Sequence, residues 1–216
     1  MTKSLRFQTL MLLSACLALI LSISLAWLYS LSSNLQDYRD LIEGPLKASH
    51  LADEANLQFK LQMQEWKTIL LQGKNNSADY QEHWSKFENQ EHQVQDALKR
   101  LRVLDGIDPA VKARIDKLSE EHRVLANAYR KVRDAFVTTS ADAMTADQAV
   151  IGIDRTVINQ MNQLVIDLRN QSNAQSRDIR TDASQTILTG TLAILVSALL
   201  LGTFTLLSSR RLRRTI

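Results

Sequence analysis

The chain has 216 residues, with 26 Lys and Arg against 23 Asp and Glu, 6 Gly, 2 Pro and a single Cys. So few helix breakers favour an all-α protein, and one cysteine excludes a disulfide framework or a zinc cluster within the chain. Six of the basic residues lie at the termini. The remainder carries 20 basic against 23 acidic residues, which excludes a basic face for nucleic acid.

Two long, charge-free apolar runs stand near the ends of the chain, Phe7 to Leu31 and Ala183 to Ser209. A bilayer core about 30 Å thick needs roughly 20 apolar residues in a helix, so both runs predict membrane spans. The flanking positive charge predicts that both termini are cytoplasmic. These flanking residues are Lys3, Arg6, Arg210, Arg211, Arg213 and Arg214.

This pattern divides the chain into five segments. We expect a cytoplasmic N-terminus, a first transmembrane helix, an extramembrane four-helix bundle, a second transmembrane helix and a cytoplasmic C-terminal segment. In a bacterium, the protein lies in the inner membrane and its bundle lies in the periplasm. The predicted boundaries are 1-6, 7-31, 32-186, 187-209 and 210-216.

The first apolar run has two alternative interpretations. A cleaved signal peptide has an apolar core of roughly 7–15 residues, and this run has 25. A lipobox-like Leu13-Ser14-Ala15-Cys16 is present, but cleavage there leaves a strongly apolar start instead of a polar tether. We therefore interpret the run as an uncleaved span, with Trp27 and Tyr29 in the interfacial belt.

The first bundle helix follows the apolar run without a break and ends near Gly73 or Asn75, either of which could form the C-terminal cap. Steps of three and four residues predict one packed face, and Pro45 predicts a kink near residue 41. The predicted face comprises Leu35, Tyr38, Ile42, Pro45, Ser49, Ala52, Asn56, Phe59, Met63, Trp66, Leu70 and Gly73.

The second and third helices form the next antiparallel pair. Ser77 is a suitable N-cap for helix two, and Asp108-Pro109 restarts the chain as helix three. The packed face of helix two includes Tyr80, Trp84, Phe87, Val94 and Leu101. The packed face of helix three comprises Val111, Ile115, Leu118, His122, Leu125, Tyr129, Val132 and Phe136.

Helix four follows a connection from Thr138 to about Thr145 and continues into the second span. Its face becomes polar at Gln171 and Gln175 before Ile179. The apolar positions are Val150, Ile153, Val157, Met161, Leu164 and Leu168. Together the elements predict an antiparallel up-down four-helix bundle whose first and last helices are continuous with the transmembrane helices. The two long outer helices predict a homodimer.

No catalytic or metal-binding motif is present, so we predict neither an enzyme nor a cofactor. His83 and His92 are nine residues apart and lie on opposite faces of one helix. His122 lies on the packed face of helix three, where it is either a haem or metal ligand or a hydrogen-bonded buried histidine. We prefer the second interpretation because no second ligand accompanies it.

Four side chains are candidates for ligand binding. Trp66, like Trp84, is typical of a core position, and its alternative role is to line a small-molecule pocket. Arg155 could bind a ligand carboxylate in bidentate fashion, or it could pair with a neighbouring acid. Lys60 and Lys67 have the same two interpretations.

Three stretches resemble bacterial methyl-accepting chemotaxis transducers that have a four-helix-bundle periplasmic domain. Gln64 to Gly73, QEWKTILLQG, is similar to the end of their first sensor helix, and Ile151-Gly152-Ile153-Asp154-Arg155 is similar to the start of their last one. Ser209 to Ile216, SRRLRRTI, resembles the junction into a HAMP linker, so residues 210-216 would begin that linker.

The resemblance implies a homodimeric sensor that binds a small-molecule ligand or a periplasmic binding protein. It places the ligand site at residues 56–67 and 148–159, on the distal dimer interface. Kinase-coupling machinery is implied only if an output domain exists. Histidine kinases, diguanylate cyclases and non-sensory scaffolds remain alternatives. Pro45, Gln171 and Gln175 are then candidates for signalling, and the arginines at 210, 211, 213 and 214 for membrane-proximal control.

Overall fold

The computed structural model describes residues 2–72, 77–138 and 142–213, which form six α-helices and one π-helical turn, with no β-strand in those ranges. This confirms the all-α prediction; the predicted cap at Gly73 or Asn75 lies outside the described residues. The helices are α1 (Thr2–Leu41), α2 (Lys47–Gln72), α3 (Ser77–Arg102), α4 (Pro109–Thr138), α5 (Ala143–Gln148) and α6 (Ile151–Arg213), and the π-helical turn is Ile42–Leu46.

The chain divides into two compact units, and α6 runs as one continuous helix through parts of both. One unit comprises Met1–Arg39 and Gln175–Ile216, and the other comprises Asp40–Ala174. Two helical stretches, Leu17–Leu71 and Ile151–Thr203, contain a segment long and apolar enough to cross a membrane. Both segments are entirely unburied in the structure, as expected for surfaces that face lipid.

The Asp40–Ala174 unit is an up-down bundle in which α2, α3, α4 and the first part of α6 follow one another around a shared core. Each neighbouring pair of helices is joined by an ion pair on the surface. Such exposed pairs contribute only about 0–1 kcal/mol each to stability. They therefore show which helices are neighbours and add little to the stability of the bundle. The pairs are Glu54–Arg100, Arg102–Asp116, Arg114–Asp167 and Arg169–Asp53.

The packed face of α4 matches the prediction. Ile115, Leu118, His122, Leu125, Tyr129 and Phe136 are all buried. Val111 and Val132 are partly buried against the same core. A regular 3.6-residue period with no insertion explains the agreement, because spacing in the sequence then translates directly into a face.

Pro45 produces a π-helical turn at Ile42–Leu46, where the sequence predicted only a kink. At the turn itself the predicted face is displaced by one residue, because Leu41 is buried and Ile42 is 56% exposed. Leu35 and Tyr38, which belong to the other unit, are 65% and 37% exposed in the single chain. A π-turn inserts one extra residue into the helix, which rotates the upstream face by about 100° relative to an unbroken count.

Two predicted positions on the face of α6 also need correction. Asp154 is buried where Ile153 was expected, and Ile153 is 39% exposed. Farther along, Ser172 is buried, whereas Gln171 is exposed and Gln175 is half-buried. The face still becomes polar between Leu168 and Ile179, but a small hydroxyl residue takes the first polar position.

The connections follow from local capping chemistry. The carboxylate of Asp108 accepts a hydrogen bond from the Ala110 amide at 2.7 Å, as expected of the N-cap before Pro109. Gly106 adopts φ 73°, the left-handed conformation that glycine accommodates best. The short helix α5 was not predicted; Asp142 caps it by accepting from the Thr145 amide at 2.8 Å.

Candidate functional site

An aromatic layer fills the bundle near the hairpin between α2 and α3. Trp66 packs against Tyr129 and Phe87, with ring centroids 4.9 and 6.5 Å apart. Trp84 stacks on Phe87 at 4.9 Å and carries the Arg133 guanidinium 4.1 Å above its ring. Such ring and cation contacts add to the burial of apolar area. The layer is therefore a closely packed part of the core at this end of the bundle.

Trp66 belongs to this core, which confirms its interpretation as a packing residue. Its side chain is 1% exposed, so direct contact with a ligand would require the layer to open. Its indole Nε1 is buried and has no hydrogen-bond partner among the described residues. A buried donor without a partner is unfavourable. The Trp66 N–H group is therefore an unsatisfied donor in this part of the core.

Asp154 brings a carboxylate to the same level, in the first turns of α6. It is only 8% exposed, and its Oδ1 atom has no partner within the described ranges. Burial raises the pKa of the Asp154 carboxyl, while the Arg155 backbone amide and the Lys67 charge oppose that rise. Burial, together with the Asp154 and Asp147 carboxylates, also raises the pKa of Tyr129. Asp154 therefore lies near Tyr129, Lys67 and Arg155.

Two of the predicted ligand residues lie around this carboxylate. Lys67 and Arg155 are both exposed, and neither forms an ion pair with a described residue. Lys60 is also exposed, but it lies seven residues, or about two helical turns, from Lys67. Lys67 and Arg155 thus both act electrostatically on Asp154, and Lys60 does not.

A test of Asp154 is its replacement by asparagine. We expect Asp154→Asn to change the free energy of unfolding at pH 7 by less than about 1 kcal/mol, because the amide keeps the shape and removes a disfavoured charge. Urea denaturation of residues 32–186, followed by circular dichroism, measures this change. A loss above about 3 kcal/mol would instead mean that the charge is tightly paired.

His122 is held in a buried polar network, which confirms its interpretation as a hydrogen-bonded core histidine. Gln95 Nε2 donates to His122 Nδ1 at 2.8 Å, so Nε2 carries the proton and donates to Gln62 Oε1 at 2.8 Å. Ser119 Oγ donates to Gln95 Oε1 at 2.6 Å. Burial lowers the pKa of His122 to about 4. The imidazole is therefore neutral, and its network joins α2, α3 and α4.

Two open grooves lie away from the aromatic layer. The larger, about 460 Å³, runs between α4 and α6 and includes Arg114, Lys117 and Gln163. The second, about 420 Å³, runs between α3 and α4 beside Arg102 and Asp116. None of Lys60, Trp66, Lys67 and Arg155 lines either groove, although Asn159, the last residue of the predicted 148–159 segment, lines the larger one. Within the described ranges, no three His, Cys, Asp or Glu side chains are placed to share a metal ion.

Sequence reasoning missed three polar residues of the bundle interior, of which Asp154 and Gln62 are buried and Gln95 is half-buried. Apolar periodicity skips polar side chains, so it assigned Ile153 to the face in place of Asp154; Met63, also assigned to a face, does pack against the core. The position of Asp154 could have indicated its burial, because it lies four residues after Val150 and three before Val157, on the same face of the helix. The remaining predicted control residues, Arg210, Arg211 and Arg213, lie at the end of α6, and Arg214 lies outside the described residues.

The fold defines a class of protein, namely a helical bundle in one chain with two helical stretches that are apolar enough to cross a membrane. The chain is 43% identical over 99% of its length to the methyl-accepting chemotaxis protein CtpH of Pseudomonas aeruginosa, and it spans 37% of that relative. This similarity confirms the resemblance to methyl-accepting chemotaxis proteins. No family model and no solved structure matches the chain.

Proposed function

We propose that the chain is the input module of a transmembrane chemosensory receptor, and not an enzyme. It detects a periplasmic signal and transmits it across the inner membrane as a homodimer, with residues 32-186 in the periplasm and both termini in the cytoplasm. The observation that carries this proposal is α6, one unbroken helix from Asp154 through the second apolar run. The similarity to a methyl-accepting chemotaxis protein supports it.

We place the ligand site at residues 56–67 and 148–159, around Lys67 and Arg155. Both charges are exposed and form no ion pair with a described residue, and their electrostatic interaction with the largely buried Asp154 leaves them accessible to a small molecule or a binding protein. Trp66 is 1% exposed, so it would support this site from the core and would not contact the ligand directly. The neighbouring segment of a second copy would complete the site.

The proposed mechanism is a shift between two arrangements of α6. A ligand that binds one arrangement better than the other changes their populations, and a continuous helix carries the displacement. Ser172 and Gln175 make this part of the face less apolar than the bundle core, so sliding there costs less apolar burial. The arginines from 210 to 214 anchor the inner end at the membrane surface, next to the proposed start of HAMP.

The signalling output is also a proposal, because the chain matches only 37% of the relative's length. Kinase-coupling machinery would act only through a cytoplasmic output domain. A direct test replaces the matching segment of CtpH with this chain and follows the reversal frequency of swimming cells when metabolites are added stepwise. We expect at least one compound to change the frequency through the chimera and not in a strain that lacks it.

The chimera also tests the proposed binding residues. Lys67→Ala with Arg155→Ala should shift the half-maximal concentration upward by about tenfold or more, since loss of one or two charge-assisted hydrogen bonds costs about 1.5–3 kcal/mol each. Lys131→Ala removes an exposed cation from α4 and serves as the matched control. Equal responses of the two variants, at equal membrane levels, would refute the assignment of the site.

A further inference from the structure

Trp27 of α1 lies directly against Gly190 of α6, within the unit formed by Met1–Arg39 and Gln175–Ile216. A methyl carbon built on Gly190 would overlap the indole Cδ1 and Nε1 atoms and lie 3.2 Å from Cγ. Gly202, farther along the same helix, has no atom within 4 Å of the equivalent carbon. Because Gly190 has no side chain, the Trp27 indole can occupy the space beside it.

A second contact fixes the alignment of the same two helices. Ser30 Oγ and Thr186 Oγ1 are 3.5 Å apart. This contact lies three residues after Trp27 on α1 and four residues before Gly190 on α6, as required for antiparallel helices in register. The buried or half-buried face of α6 here consists of small side chains, Ala183, Thr186, Gly190, Ala193 and Ser197.

The indole is held by shape and not by hydrogen bonding. Its Nε1 atom is buried and lacks an acceptor among the described residues. A small-residue face lets helix backbones approach closely in an apolar medium, and a large ring between them leaves little freedom to slide. Movement of α6 past α1 must therefore either carry the ring along or eject it from its place over Gly190.

We propose that Trp27 is a positioning residue that sets the register of α6 against α1 by occupying the space over Gly190. The inference deepens the proposed function, because register between these helices is what a sliding signal would change. The register can be measured in the unstimulated protein, without a ligand. A substitution that fills the space should shift the register, and one that removes the ring should loosen it.

The test uses the full chain in bacterial membranes, with Cys16→Ser and with cysteines replacing Ser30 and Thr186. Disulfides form only when the two Cβ atoms come within about 3.5–4.5 Å, so their rate of formation reports register. We expect Gly190→Ala to slow cross-linking by about fivefold or more, because the required geometry is narrow. Gly202→Ala, which adds the same methyl group in open space, should match the parent within about twofold.

Two further variants make the result decisive. Trp27→Ala combined with Gly190→Ala should cross-link at the rate of Trp27→Ala alone, since the added methyl group then has room. Trp27→Ala alone introduces no clash at Gly190. In this variant an off-register pair, cysteines replacing Ser30 and Ala183, should cross-link in addition to the pair at Ser30 and Thr186. Parent-like rates for Gly190→Ala, or unchanged register selectivity for Trp27→Ala, would overturn the proposal.

The receptor function is tested separately by the CtpH chimera. If Trp27 positions the output helix, Gly190→Ala should change the basal reversal frequency, and it should cause no such change in a Trp27→Ala background at equal protein levels. A cross-linking shift without any change in reversal frequency would overturn the link between register and signal output and retain the register assignment; the ligand response of the parent chimera tests the receptor function itself. Dependence on Trp27 in both measurements is a result that a merely structural role would not give.

Discussion

Replacing Trp66 with alanine is expected to lower the free energy of unfolding of the bundle by about 3–5 kcal/mol, the range for removing a large aromatic ring from a packed core. The ring is 1% exposed and contacts both Phe87 and Tyr129, so the surrounding side chains cannot collapse fully into the space. Urea denaturation of residues 32–186 at pH 7, followed by circular dichroism, measures the loss.

Leu71→Ala supplies the matched control on the same helix. Leu71 is 78% exposed, so its truncation should change the free energy of unfolding by no more than about 0.5 kcal/mol. Similar losses in the two variants would show that Trp66 is not a core residue. Its alternative role as a pocket-lining side chain would then be favoured.

The bundle should also lose about 3 kcal/mol of stability as the pH falls from about 6.5 to about 4, through His122 alone. The folded state holds this imidazole neutral, with its pKa lowered to about 4 from the usual 6.5. The unfolded state takes up the proton first, so stability decreases across this window. It levels off below about pH 4, where both states are protonated.

His122→Gln isolates this contribution, because glutamine can hydrogen-bond but cannot titrate. The groups around His122 are Gln62, Gln95, Ser119 and Phe59, and none of them titrates in this range. The raised pKa of Asp154 has the opposite sign and is present in both proteins, so it cancels in the difference. Parallel stability curves for the two proteins from pH 7 to pH 4 would refute the assignment.

The sequence predicted the bundle and its connectivity because four faces repeat at helical spacing between identifiable caps. Helix α4 shows this best, since every residue of its predicted face is buried or partly buried. The unbroken passage of α6 into the second apolar run was predicted for a similar reason. No Pro interrupts that stretch, and its glycines stand singly.

The errors have two physical causes. A π-turn changes the phase of a helix without any change in composition, so counting through Pro45 placed Ile42 on the face where Leu41 is buried. Apolar periodicity also overlooks polar side chains whose partners are distant in sequence. Gln62 and His122 are 60 residues apart, and only the fold brings them to 2.8 Å. The electrostatic effect of Lys67 on Asp154 depends on the same tertiary alignment.

The His122 network has a consequence for which helix can move. Its hydrogen bonds join α2, α3 and α4, and hydrogen bonds weaken steeply when atoms shift out of line. Among the described residues, α6 contributes no side chain to the network. Its contacts with the core, through Val157, Met161 and Leu164, are non-directional. The directional contacts of α6 are exposed ion pairs, Arg114–Asp167 and Arg169–Asp53, which water can replace when the helix shifts. The buried hydrogen bonds thus hold α2, α3 and α4 together, whereas a displacement of α6 breaks none of them.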